Sequence, residues 1–150
     1  MTEISFYHMT RNSLEEVLPR LLEKVLETGM RAMVVTDNEM SLQTLDKVLW
    51  TYTPLAFLPH GTPHDPFPEK QPILLTTTQE NTNQADIIVL THDTESTDLS
   101  PYKRCLEIFN GRNEKSVQKA RERWAKYKAA GHPLTYWQQS EQGKWEKAPL

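Results

Sequence analysis

Arg31-Ala-Met-Val-Val-Thr36 is a short run without polar alternation, the pattern of a strand covered on both faces. Upstream of it, Leu14, Val17, Leu18, Leu21, Leu22, Val25 and Leu26 recur every three or four residues, which predicts a helix. Ser13 with Glu16 forms a capping-box pattern at its start, Gly29 supplies the stop, and Pro19 is expected to kink the first turns. Before the helix, Ile4, Phe6 and His8 alternate with Ser5 and Tyr7, as in a strand. After Thr36 a second helix is expected to start near Asp37 or Asn38, with Leu42, Leu45, Val48 and Leu49 facing inward. Three more apolar runs read as buried strands: Pro72-Ile-Leu-Leu-Thr76, Ala85-Asp-Ile-Ile-Val-Leu-Thr91 and Arg104-Cys-Leu-Glu-Ile-Phe109. A β-α-β-α opening followed by such runs predicts an α/β fold, with a mainly parallel central sheet and helices on both faces.

The chain of 150 residues fits a single domain, residues 1–150. Pro59, Pro63, Pro66, Pro68 and Pro72 make residues 59–72 a stiff loop within that domain, and residues 134–147, alternating around Gly143, read as a hairpin-like tail or an edge strand. No stretch is long and apolar enough for a membrane span, and Glu3, Glu15 and Glu16 interrupt any leader-like run, so a cytoplasmic protein with no membrane partner is expected. The lone Cys105 lies inside an apolar run, where a buried structural thiol is expected rather than a nucleophile. The net charge of −3 conceals a division. Residues 1–102 carry 6 basic and 15 acidic side chains, and residues 103–150 carry 11 basic and 5 acidic ones, which points to an anionic partner docking on the C-terminal third.

Doubly wound sheets often bind nucleotides, but the glycines that let a backbone approach pyrophosphate are missing here. The turn Met9-Thr-Arg-Asn-Ser13 has none, and neither GxGxxG nor GxxxxGK[ST] occurs. There is no Gly-x-Ser-x-Gly elbow for a hydrolase. His60, His64 and Asp65 have a spacing open to a metal, yet no second cluster completes a ligand set, so neither metal nor cofactor is expected. Asp37, at the end of a strand, reads as a helix N-cap rather than a catalytic carboxylate.

The helix predicted from about Asn113 to Ala130, ending at Gly131, is strongly basic. Val117, Ala120, Trp124 and Tyr127 follow the spacing of a packed face, and Arg121 and Lys128 flank it. Guanidinium, ammonium and aromatic groups bordering one pocket suit a short acidic peptide that ends in an aromatic residue with a free carboxylate. Arg121 would hold the carboxylate while the aromatic side chain packs beside Trp124 and Val117. Lys119, Arg123, Lys126 and Lys128 would attract acidic residues upstream. The competing reading is a solvated amphipathic helix, or a nucleic-acid-binding module that lays these cations on phosphates.

Several segments in order resemble the chi subunit family of the bacterial DNA polymerase III holoenzyme. They are Ile4-Ser-Phe-Tyr7, Leu45-Asp-Lys-Val-Leu-Trp50, Phe57-Leu-Pro-His60, Ala85-Asp-Ile-Ile-Val-Leu90, and Ala120-Arg-Glu-Arg-Trp-Ala-Lys-Tyr-Lys128 before Ala130-Gly131. The resemblance implies a Rossmann-like three-layer fold without nucleotide chemistry, and a non-catalytic replication subunit. Such a subunit binds the acidic C-terminal tail of single-stranded-DNA-binding protein and meets DNA only indirectly. It also implies that Arg121 matches the family's tail-binding arginine and Trp124 its aromatic neighbour, usually a tyrosine. A family lysine falls on Ala125, which leaves its charge to Lys126 or Lys128. Trp50, Phe57, Pro59 and His60 match the surface that docks the psi subunit or, in some bacteria, a helicase-like repair protein, and so joins the chain to the clamp loader.

Overall fold

A computed structural model describes residues 2–53 and 58–148. Its elements follow the apolar runs in order: β1 (Glu3–Met9), α1 (Leu14–Glu27), β2 (Ala32–Val35), α2 (Glu39–Thr51), β3 (Ile73–Thr76), β4 (Ile87–Leu90), β5 (Arg104–Asn110), α3 (Glu114–Ala129), β6 (Leu134–Gln139) and β7 (Trp145–Lys147). They form one seven-stranded sheet of order β3-β2-β4-β5-β1-β6-β7, parallel except for β7. The fold is α/β and consistent with a Rossmann-like architecture.

Because neighbouring residues of a strand point to opposite faces, the sheet separates two cores. Val34, Ile73, Leu75, Val89, Leu106 and Ile108 face α1 and α2, whose contributions include Leu18, Leu22, Leu42, Leu45 and Leu49. Ile4, Phe6, Met33, Ile88, Cys105 and Phe109 face the other way, against Ala120 and Tyr127 of α3. β2, β3 and β4 are buried along their whole length, as their lack of alternation requires. Burial raises the Cys105 thiol well above its ordinary range, which fits a structural role.

The helix ends are chemically marked. Glu16 closes the capping box on Ser13, accepting from its backbone N–H at 3.2 Å, and that contact lowers the Glu16 carboxyl. Helix α1 runs unbroken through Pro19. An interior proline costs about 3 kcal/mol, but Leu18 and Leu22 beside it are fully buried, and each contributes about 1.5–3 kcal/mol. Packing therefore decides the outcome. Asn38, not Asp37, caps α2, accepting from the Ser41 N–H at 2.8 Å, because the extended backbone at Asn38 aims its side chain back over the first turn. Val48, expected inside, is half-buried at the rim of a groove between α1 and α2.

The proline-rich loop lies against the sheet. Gly61 bridges in parallel to Leu74 of the edge strand β3, donating to Ile73 O at 3.0 Å and accepting from Leu75 N at 2.9 Å. Pro68–Lys70 make one short 3-10 turn. In the tail, β6 pairs in parallel with β1 and β7 folds back antiparallel on β6, so the hairpin widens the sheet by two strands.

Candidate functional site

Phe6 and His8 of β1 and Phe109 of β5 point to the α3 side of the sheet, because each is an even step from a core residue on that face. Helix α3 crosses above them with Val117, Ala120, Arg121 and Trp124, positions that three- and four-residue spacings bring to one face. Tyr136 of β6 closes the side, and the eight residues line a cavity of about 230 Å³. The walls are aromatic. Trp124 meets Phe6 edge-on at 5.1 Å and Tyr136 at 5.7 Å, while His8 lies 4.9 Å from Phe109. An apolar protein cavity of about 150 Å³ already holds benzene, so this one admits a phenyl side chain.

The mouth is cationic. Arg121 is exposed at the rim of the cavity that His8 and Tyr136 also line; burial lowers His8 and the Arg121 charge acts the same way, whereas burial raises Tyr136 against that charge. Among the described residues no carboxylate forms an ion pair with Arg121. Inside, His8 Nδ1 lies 2.5 Å from Tyr136 Oη. The Cδ2–Nε2 edge of the imidazole lies so close to Gly111 that a Cβ there would stand 1.9 Å away, and the Gly111 backbone hydrogen bonds the ring. Burial is the largest influence on His8 and moves it below the ordinary imidazole range.

The structure thus gathers Val117, Arg121 and Trp124 around one cavity, but not the other cations of α3. Lys126 and Lys128 are exposed outside its lining, and Lys126 lies 3.9 Å from Glu95. Arg123 corrects an expectation outright: it is 2% exposed, donates from Nε to Glu107 Oε1 at 3.0 Å, and is closed to any partner's charge. Tyr127 Oη donates to the other oxygen of Glu107 at 2.6 Å, so this buried triad anchors α3 to β5 beside the cavity. Phe6, His8, Phe109, Ala120 and Tyr136 were not foreseen as lining. The alternation of Ile4, Phe6 and His8 marks a shared face, but nothing local says which helix covers it.

Of the second surface, Trp50 at the end of α2 is 55% exposed, its ring 4.8 Å from that of His60. His60 is buried, with Nδ1 2.7 Å from Leu58 O and Nε2 2.9 Å from Asp46 Oδ1, and Pro59 is half-buried. Phe57 lies outside the described residues. His64 turns instead to Glu39 at 2.6 Å, so the two histidines have different partners. Among the described residues no group of three histidine, cysteine or acidic side chains could hold a metal ion.

The carboxyl ends of the strands open another crevice, of about 390 Å³, lined in part by Asp37, His92, Asp93, Arg112 and Ser116. Ser116 donates to Asp93 at 2.8 Å, and Asp37 lies 3.8 Å from His92. Carboxylates, those of Glu15, Asp37 and Asp93, stand here where a nucleotide fold offers glycine N–H groups to phosphate. No helix among the described residues is long and apolar enough to cross a membrane.

Comparison with known proteins agrees with the resemblance read from the sequence. Residues 1–135 match the family described as DNA polymerase III chi subunit, HolC. A protein of Rickettsia prowazekii (strain Madrid E), "Probable DNA polymerase III subunit chi", is 31% identical over 109 residues, 73% of this chain. The match spans 66% of that relative's length, just under two thirds.

Proposed function

The chain belongs to the DNA polymerase III chi subunit family, and from that premise we propose that it is a replication accessory subunit, non-catalytic, that grips the acidic C-terminal tail of single-stranded-DNA-binding protein. The tail's last aromatic side chain enters the cavity between Phe6, Val117 and Trp124, and its terminal carboxylate pairs with Arg121. Lys126 and Lys128, exposed further along α3, act on upstream acidic residues through space, raising the association rate more than the final affinity. The observation that carries this reading is an aromatic cavity whose mouth presents a guanidinium without an ion-pair partner among the described residues.

The second surface, Trp50, Pro59 and His60 together with Phe57, joins the chain to the clamp loader through the psi subunit or an equivalent partner. An exposed indole held against a buried, doubly contacted imidazole is the kind of aromatic anchor that interfaces use. The chain works as one domain, in the cytoplasm, with DNA met only through its partners.

The direct nucleic-acid reading is weakened by the fate of the basic helix, since Arg123 is buried and Glu114 and Glu122 share the exposed surface of α3. Fluorescence anisotropy distinguishes the two. A labelled acidic nonapeptide ending in Pro-Phe is expected to bind, and its C-terminally amidated twin and a labelled oligo-dT are not. Equal binding of oligo-dT would make α3 a phosphate contact and overturn the peptide assignment.

A further inference from the structure

The cavity contains a titratable pair that aromatic packing alone does not require. His8 and Tyr136 come from adjacent parallel strands, one on β1 and one on β6, and meet at 2.5 Å behind Arg121. Gly111, where a Cβ would stand 1.9 Å from the ring, leaves room for the Nε2 edge of the imidazole, and Nδ1 faces the tyrosine. In the neutral tautomer that carries its hydrogen on Nε2, Nδ1 is an acceptor, and the proton between the two atoms is that of the Tyr136 hydroxyl. That hydroxyl then has nothing to donate to a ligand.

We propose that His8 and Tyr136 complete the carboxylate site and couple tail capture to uptake of one proton. When a free C-terminal carboxylate docks against Arg121, His8 takes a proton from solvent at Nδ1. The new Nδ1–H donates to Tyr136 Oη, and the tyrosine O–H turns to donate to the incoming carboxylate. One proton enters and no covalent bond changes elsewhere. The inference rests on the tail-binding reading and adds to it a second pair of recognition groups.

The charges around His8 set the direction. From α3 it faces Arg121, from β6 the Tyr136 hydroxyl, from β5 the uncharged ring of Phe109, and beyond β5 the Gly111 backbone. In the empty pocket burial and Arg121 both disfavour the imidazolium, against the Gly111 bond. A bound carboxylate neutralises Arg121 and adds attraction of its own, so the imidazolium is favoured in the complex. Affinity then rises as pH falls through the His8 pKa of the complex and levels off below that of the empty pocket. The slope between them is at most about tenfold per pH unit for one proton.

The test is isothermal titration of the free-acid and amidated peptides with the full chain, between about pH 5 and pH 8, in buffers of different ionisation heat. The expected result is tighter free-acid binding at low pH, a buffer-dependent heat reporting net proton uptake, and neither for the amide. Tyr136→Phe keeps the aromatic wall and is expected to flatten the pH slope, as is His8→Gln. Free-acid binding that is independent of pH and buffer, or an unchanged slope in both variants, would overturn the proton coupling while leaving the tail reading intact. Failure of the free acid to bind at any pH would overturn both.

Discussion

Arg121 and Arg123 stand two positions apart on one helix and have opposite physical fates. Arg121 keeps its charge in water at the cavity mouth, so removing it leaves nothing buried and unpaired. Arg121→Ala is expected to weaken tail binding by about 2–3 kcal/mol, the loss of a charge-assisted pair, with unfolding free energy unchanged within about 0.5 kcal/mol. Arg123 is 2% exposed against a Glu107 that is 1% exposed. Above about pH 7, where the Glu107 carboxyl is ionised, Arg123→Ala strands it and is expected to cost about 3–5 kcal/mol in urea unfolding. Equal destabilisation by the two variants would mean that the burial assignments are wrong. Glu107 makes a pH prediction as well. Burial pushes its carboxyl up to about 7 from an ordinary 4.5, while Arg123 and Tyr127 pull it down. Between those values the folded chain holds a proton that the unfolded chain has released. The stability that Glu107 contributes is therefore complete below its unfolded pKa and is lost as pH rises through its folded one. Glu107→Gln removes this dependence, so the wild type is expected to lose stability relative to the variant between about pH 5 and pH 8. A constant difference across that range would show that the carboxyl stays ionised when folded.

At the scale of elements, the cavity depends on the junction between β5 and α3. Gly111 leads out of β5, and a Cβ on it would meet the His8 ring at 1.9 Å and Met9 O at 2.8 Å. Since the latter is backbone, side-chain rotation cannot relieve it. Gly111→Ala is expected to displace His8, reduce tail affinity at least as much as Tyr136→Phe, and lower the melting temperature. Intact affinity in that variant would mean that His8 does not shape the site. The same junction shows what was legible beforehand. The helices were, from their 3.6-residue apolar period, and so were the buried strands, from short apolar runs without alternation. The parallel pairing of β6 with β1 was not, since it joins segments some 130 residues apart, and with it Tyr136 stayed hidden as a pocket wall. Arg123 was read as solvated because a basic helix looks solvated. The contrary signal lay in Glu107, a lone acid inside the apolar run of β5, which on burial needs a cation from whatever packs above it. Local pattern supplied both partners but not their meeting.

On the scale of the whole molecule, the sheet separates the two proposed surfaces. The cavity belongs to the α3 layer, whereas Trp50 and His60 belong to the α2 side, where Leu42, Leu45, Leu49 and Leu58 join the opposite core. Each layer is on the order of 10 Å thick, more than the Debye length of about 8 Å at physiological ionic strength, so charge at one surface is screened from the other. Among the described residues no ion pair links Arg121 to His60, whose partners are Leu58 O and Asp46. The two proposed partners are thus expected to bind independently. Trp50→Ala should change tail-peptide affinity by less than about 0.5 kcal/mol, the limit for uncoupled sites. Saturating peptide should leave capture of psi unchanged by the same margin. The double variant with Arg121→Ala should lose both activities additively. Raising salt should weaken the tail interaction far more than the second, because only the former draws on the basic third of the chain. A coupling well above that limit in the double-mutant cycle would show that the central sheet, or the loop running from α2 to β3, carries information between its faces.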